Sequence, residues 1–166
     1  MVFDISIITP TLNCENTIDK CIKSIRSQTN ISVQHIVQDG GSSDGTIEIL
    51  KANNIKFFQE IDNGIYDAMN KGAARATGRF VMFLNGDDYL ASPDILSKIV
   101  SKLDILGEGE IFGYGDICYV NKYDHIISSS KLKLFKKTNI NIGFIQIPHP
   151  AMICSLNIIK QYHTKD

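Results

Sequence analysis

Two adjacent carboxylates, Asp87 and Asp88, close the stretch FVMFLNGDD that begins at Phe80. Ahead of them five apolar residues, Phe80 to Leu84, run unbroken and stop at Asn85-Gly86. A run of this kind, rich in Phe and Val, is the pattern of a strand buried on both faces. Carboxylates at its C-terminal edge put negative charge where open α/β sheets bind ligands. Hard oxygen donors in that place suit Mg²⁺ or Mn²⁺ and, through the metal, a diphosphate. Taken alone, NGDD reads more simply as an Asn-Gly turn with a solvated acidic tip.

Other residues with chemical capacity also collect at strand ends. Thr9-Pro10-Thr11-Leu12-Asn13 follows a first apolar run at Ile5, Ile7 and Ile8, and Asp39 follows a second at Val33 to Gln38. In a parallel sheet these ends share one rim with Asp87 and Asp88, so the segments converge on one ligand. The glycine-rich DGGSSDGT from Asp39 to Thr46 matches neither the dinucleotide fingerprint nor the Walker pattern. Most of it reads as a turn with a helix cap at Ser43 or Asp44. Asp39 is the exception, because it leaves its strand directly onto the rim, where a carboxylate accepts hydrogen bonds from a base or ribose.

The elements that must position these residues alternate. A helix is expected from near Asn16, with Asn13 and Asn16 as caps and Ile18, Cys21, Ile22 and Ile25 as its buried face. A short helix carries Ile47, Ile49 and Leu50, and a third strand spans Ile55 to Phe58. A helix rich in small residues runs from Ile65 to about Ala76, with Gly78 as its C-terminal stop. Ser92-Pro93 opens a further helix with Pro at its first position and a stripe of Ile95, Ile99, Leu103 and Leu106. Past Gly107 two strands are expected, Ile111 to Val120 and His125 to Ser129, joined by a turn at Asn121 to Asp124. Ile153 to Tyr162 reads as a strand running into a helix. The order predicts an α/β fold with a mostly parallel central sheet and helices on both faces.

Bulk properties narrow the classes. The chain has 166 residues, enough for one domain, with 43% hydrophobic and 21% charged residues and a formal net charge of −1. That balance does not describe a nucleic-acid surface. The basic cluster Lys131, Lys133, Lys136 and Lys137 alternates with Leu132, Leu134 and Phe135, a solvated amphipathic segment able to meet a membrane or an acceptor. The four cysteines, Cys14, Cys21, Cys118 and Cys154, form no CxxC pair and are expected to be reduced thiols in a cytoplasmic protein. The N-terminus lacks a signal-peptide pattern, and no apolar run approaches a membrane span.

TPTLN, QDGGSSDGT, DNGIYDAMNKG and GRFVMFLNGDD, in that order, resemble the motifs of the family 2 glycosyltransferases. The likeness covers Ile5 to Leu90 closely and Ile147 to Tyr162 more loosely. It implies an inverting enzyme of the GT-A fold, a Rossmann-like sandwich, that uses a nucleotide sugar of UDP or GDP type and Mg²⁺ or Mn²⁺. The acceptor would be a saccharide or lipid-linked molecule in cell-surface polysaccharide synthesis, met in the cytoplasm or at the inner face of the membrane. By this resemblance Thr9, Pro10, Thr11 and Asp39 bind the nucleoside, and Asp67, Asn70 and Lys71 line the base or diphosphate side. Asp88 is the direct metal ligand, and Asp87 serves the ribose or the metal's water shell. Residues 1–106 would form the nucleotide-sugar half of one domain, and 107–166 the beginning of an acceptor half that is cut short. The family's catalytic base is expected beyond Asp166, with His149 in PHPAMI as the weaker candidate within the chain. A chain keeping the donor half without a base would be a non-catalytic nucleotide-sugar-binding module. A dehydrogenase-type dinucleotide site is disfavoured, since GxGxxG is absent from the first strand–helix turn.

Overall fold

The computed structural model describes residues 3–107, 109–130, 135–136 and 152–163. The first part alternates strand and helix: β1 (Ile5–Thr11), α1 (Ile18–Arg26), β2 (Val33–Asp39), α2 (Thr46–Ala52), β3 (Phe57–Gln59), α3 (Ile65–Ala73), β4 (Phe80–Phe83) and α4 (Ile95–Ile105). The second part adds β5 (Ile111–Tyr114), β6 (Ile117–Val120), β7 (Ile126–Ser130), β8 (Phe135–Lys136), β9 (Met152–Ser155) and α5 (Leu156–His163). One sheet of seven strands has the order β3-β2-β1-β4-β9-β5-β8, and β6 and β7 form a separate hairpin. β1 to β4 pair in parallel. β9 runs antiparallel between β4 and β5, and β8 antiparallel to β5, so five of the seven strands point one way.

Period-two alternation along the strands builds two cores. Ile5, Ile7, Val37, Phe80 and Met82 face α1, α2 and α4. Ile8, Ile36, Val81, Phe83 and Cys154 face α3 and α5. α1 is amphipathic as its spacing requires, with Ile18, Cys21, Ile22 and Ile25 all buried. Each buried aliphatic side chain of this kind contributes about 1.5–3 kcal/mol of transfer free energy. Small residues on α3 let it lie close on the sheet: a Cβ at Gly72 would come within 2.4 Å of Ile8 Cγ2.

Several boundaries differ from the expectation. β1 continues through Pro10 to Thr11. The Pro10 carbonyl accepts from Gly86 N, so its imide nitrogen also faces the β4 side, beyond the Ile8–Phe83 pair that ends that ladder, and the β1–β2 ladder loses no donor. Neither Asn13 nor Asn16 caps α1, whose N-cap Thr17 makes no side-chain capping bond. α3 ends at Ala73, and Gly78 serves a different purpose: its N–H donates to Ser6 Oγ at 2.8 Å in a close approach to β1. α4 begins after Asp94, because the Pro93 carbonyl accepts from Thr29 N instead of starting the helix. Its buried face is Leu96, Val100 and Leu103, one residue round from the expected stripe, with Ile95, Ile99 and Leu106 partly buried at its border. The expected strand Ile111 to Val120 is two strands, β5 in the main sheet and β6 in the hairpin.

The four cysteines are free thiols, with Cys21 and Cys154 buried, Cys14 half-buried and Cys118 exposed. Among the described residues no helix is long and apolar enough to cross a membrane. His149 and the side chains of the lysine cluster lie outside the described residues.

Candidate active site

The parallel strands β1 to β4 deliver their C-terminal ends to one rim. In the order β3-β2-β1-β4 the chain reverses its direction of growth between β1 and β4. Such a reversal opens a crevice between diverging loops, the usual ligand position in open α/β sheets.

The loops after β1 and β2 are stitched together. Asn13 N donates to Ser42 Oγ at 2.9 Å, and Ser43 N returns a bond to Asn13 Oδ1 at 2.9 Å. Cys14 N donates to Thr46 Oγ1 at 2.8 Å, Glu15 N to Asp44 Oδ2 at 3.0 Å, and Gly45 N to Glu15 Oε2 at 2.8 Å. Asn13 takes φ +53, a left-handed conformation that Asn tolerates, which turns its amide toward the β2 loop. Thus NCE and SSDGT form one braced platform. Asp44 still supports the start of α2, accepting from Thr46 N at 3.0 Å.

Asp39 organises that platform from within. It is 0% exposed. Its Oδ1 accepts from Gly41 N at 3.0 Å, Ser42 N at 2.9 Å and Gln59 Nε2 at 3.1 Å. Its Oδ2 accepts from the Ser42 and Thr11 hydroxyls. Gly41, at φ +102, bends the chain back so that these amides point at the carboxylate. The sequence suggests a carboxylate facing a base or ribose; in this structure the Asp39 oxygens are engaged by Gly41, Ser42, Gln59 and Thr11.

The β4 end is locked to the β1 end. Leu84 N donates to Ile8 O at 3.0 Å and Gly86 N to Pro10 O at 3.2 Å. A Cβ at Gly86 would lie 2.7 Å from Thr11 Cγ2 and 3.1 Å from Cys14 Sγ, so only glycine fits there without displacement. This contact places the following carboxylates beside the platform. Asp87 is exposed and Asp88 partly buried, with Asp88 N closing the turn onto Asn85 O at 3.0 Å. Burial, and next the charge of Asp87, push the Asp88 carboxyl up to about 6, against a smaller opposing hydrogen bond from Asn85. Among the described residues no Lys or Arg ion-pairs with either of them.

Two hard carboxylates side by side, with no cationic partner among the described residues, fit a divalent cation. Among the described residues no cluster of three or more His, Cys, Asp or Glu is arranged to hold a metal with protein ligands alone. A cation here would therefore share its coordination with ligand phosphates and water, which is the habit of Mg²⁺.

The other residues singled out from the sequence fall in three places. Thr9 points inward beneath α1, 0% exposed, with Oγ1 3.0 Å from His35 Nε2. Pro10 is buried and serves the rim through its carbonyl. Thr11, by contrast, joins the Asp39 and Gly86 contacts directly. Asp67, Asn70 and Lys71 lie on α3, at the β3 side of the rim. Asp67 pairs with Lys71 at 3.1 Å and accepts from Asn63 N at 3.0 Å, and those contacts, the amide first, hold its carboxyl below the usual range. Lys71 also donates to Ile61 O at 2.9 Å, while Asn70 is exposed. Their loop abuts the platform, since a Cβ at Gly40 would lie 2.4 Å from Asp62 Oδ2. Sequence reasoning placed Asn13 and Gly86 at strand ends but not the bracing they provide, and it missed Glu15 altogether. Polar residues flanking two strand ends were the available signal, but their pairing requires the strand order.

Sheet and rim together define a GT-A scaffold, and comparison with known proteins agrees. Residues 1–349 of S. aureus TarS, solved in complex with UDP-GlcNAc, match with a TM-score of 0.69 over 98% of this chain and 47% of that one, at 21% identity. Glucosyl-3-phosphoglycerate synthase from Mycobacterium tuberculosis, solved with UDP, matches with a TM-score of 0.57 over 68% of this chain and 43% of that one, at 27% identity. A PGL/p-HBAD biosynthesis glycosyltransferase of Mycobacterium bovis is 36% identical over 120 residues, 68% of this chain and 46% of that protein. The chain thus spans about half the length of the curated relatives it matches. The sequence profile of glycosyl transferase family 2 matches residues 6–161. The chain belongs to that family of transferases.

Proposed function

We propose that the rim binds the nucleotide of a UDP- or GDP-type sugar donor, and that the enzyme transfers the sugar with inversion to a saccharide or lipid-linked acceptor. The observation that carries this reading is the Asp87–Asp88 pair, unpartnered by cations and fixed beside the β1–β2 platform at the sheet's reversal point. The UDP-GlcNAc and UDP held by the two structural neighbours support the donor class. In this reading residues 1–106 are the donor half of one domain, and 107–166 begin its acceptor half. The reaction belongs to cell-surface polysaccharide synthesis on the cytoplasmic side of the membrane, an assignment that rests on the family resemblance.

Each residue then has a task. Asp88 holds Mg²⁺ or Mn²⁺, and Asp87 serves the metal's water shell or the ribose. A bound cation supplies Lewis-acid stabilisation of the charge gathering on the departing diphosphate. Thr11 and Asp39 shape the nucleoside floor, Asp39 by holding the Gly41 and Ser42 amides in place. Asp67, Asn70 and Lys71 border the base or diphosphate side. Inversion also needs a general base on the acceptor face. The positions proposed for it, His149 and residues past Asp166, lie outside the described residues.

Calorimetry with UDP and GDP tests the reading. Affinity should rise on the order of tenfold or more with Mn²⁺ over chelator, the effect of a charge-assisted contact of about 1.5–3 kcal/mol. Asp88→Asn should remove that gain. Glu48→Gln, an exposed change on α2, should leave it intact. Equal binding in chelator would sink the metal role, and no binding of either nucleotide would sink the donor reading.

A further inference from the structure

The β6–β7 hairpin stands outside the seven-stranded sheet, yet its tip reaches the carboxylate loop. The turn is built from its own residues. Asn121 Oδ1 accepts from Tyr123 N at 2.9 Å and His125 N at 3.1 Å, and Asp124 N donates to Asn121 O at 2.9 Å. The Asp124 side chain takes no part in this, and both its hydrogen bonds leave the hairpin. The Tyr89 hydroxyl donates to Asp124 Oδ1 at 3.1 Å, and the Lys20 ammonium on α1 pairs with the same oxygen. Lys20 Nζ also stands 3.7 Å from the centroid of the Tyr89 ring. Three pieces of chain meet here, Asp124 being 104 residues from Lys20 and 35 from Tyr89. Tyr89 directly follows Asp88.

We propose that Lys20, Tyr89 and Asp124 form a latch that docks the hairpin tip onto the Asp87–Asp88 loop and couples hairpin docking to donor binding; the coupling rests on the donor reading above. Tyr89 shares the backbone of Asp88, so fixing its ring between an ammonium and a carboxylate limits the excursions of the loop that holds the acidic pair. The three are positioning residues that act through that loop. The latch is also releasable. The Lys20 and Asp124 side chains are 46% and 58% exposed, and an ion pair so exposed is weak and screened by salt. A hairpin held this way can lift to admit a nucleotide and settle again afterwards.

Asp124 offers a clean test. It sits at φ +62, a conformation that Asn tolerates, so Asp124→Asn removes the charge without disturbing the turn. Two readouts are needed on the intact 166-residue chain. One is hydrogen exchange of the amides in β6 and β7, at about 0.05 M and about 0.5 M NaCl, with and without UDP and Mn²⁺. The other is calorimetric UDP affinity in Mn²⁺. In the unaltered chain, salt should speed hairpin exchange and UDP should slow it. In Asp124→Asn both responses should vanish, and UDP should bind about two- to fivefold more weakly. Tyr89→Phe should shift both readouts the same way by less. Lys98→Gln, which breaks the Lys98–Asp94 pair on α4, should change neither. Unchanged hairpin exchange in Asp124→Asn overturns the latch. Faster exchange with unchanged UDP affinity overturns the coupling. If the unaltered chain binds neither UDP nor GDP, the donor reading and the coupling fall together, while the salt response still decides whether the latch exists.

Discussion

At the scale of single residues, His35 shows how a polar group inside the sheet responds to acid. Burial, and next the charge of Arg26, lower its pKa from 6.5 to about 4. The geometry agrees: Nδ1 is shut off from solvent with no partner, and Nε2 meets Thr9 Oγ1. The unfolded chain therefore takes up this proton at higher pH than the folded one. The stability linked to His35 is complete above about pH 6.5 and is lost as pH falls toward 4, up to about 3 kcal/mol in all. Asp88 has the opposite sign. Its carboxyl is raised to about 6, so stability withheld at neutral pH returns as pH falls through that value. The His35 contribution is accordingly read as a difference: between pH 7 and pH 5 the unaltered chain should lose more stability to urea than His35→Gln. Equal losses would show that the imidazole is already protonated, or solvated, in the fold. The same pocket explains why Thr9 was legible as a strand-end residue but not as an inward one. A strand's alternation tells which residues share a face, and the direction of that face depends on where the helices lie. Asp39 was legible as a special carboxylate, but its enclosure depends on Gly41 and Gln59, which a linear pattern does not bring together.

At the scale of elements, glycines mark approaches between segments more often than they mark ends. A Cβ at Gly78 would lie 2.6 Å from both the Ile5 carbonyl carbon and the Ser6 nitrogen, and backbone in a central strand cannot give way. At Gly72 the neighbour is a side-chain methyl of Ile8, and an alanine inside a helix recovers roughly 0.5–1 kcal/mol of propensity. Overpacking costs about 1–3 kcal/mol, so Gly72→Ala should cost less than Gly78→Ala, which belongs at or above the top of that range. Urea denaturation of the two variants checks the order, and the reverse order would mean that the Thr77–Arg79 segment moves freely off β1. The types of α1 to α4 and β1 to β4 were legible because their apolar periods are long and regular. Their boundaries were not. Gly78 and Pro93 carry stop and start signals, yet tertiary hydrogen bonds to Ser6 and from Thr29 use those residues otherwise.

At the scale of the whole molecule, one rim gathers the loops of four parallel strands, so a ligand there ties together parts of the chain far apart in sequence. Binding only to the folded state at a hundred times Kd adds about 2.7 kcal/mol. For a chain of this length that raises Tm by roughly 5–10 °C. UDP with Mn²⁺ should produce that shift, and UDP in chelator a smaller one. Calorimetric scans with no shift at saturating UDP would contradict a folded-state donor site. The parallel half was legible from strand–helix alternation. The place of β9 was not, because a short apolar strand carries no mark of the neighbours between which it will be inserted.

That insertion has a consequence for the growing chain on the ribosome. β1 to β4 are made first and can pair as soon as they emerge, but the outer edge of β4 has its partner only when Met152–Ser155 has been synthesised. β5 is made earlier than β9, yet in the sheet it lies between β9 and β8 and does not pair with β4. Translation from Phe83 to Met152 takes on the order of several seconds at about 5–20 residues per second. During that interval the nascent protein presents an open edge of Phe80–Phe83, an apolar strand that is buried in the finished fold. Unpaired edges of this kind are templates for wrong pairing. Until β9 arrives, that edge stays open to such pairing.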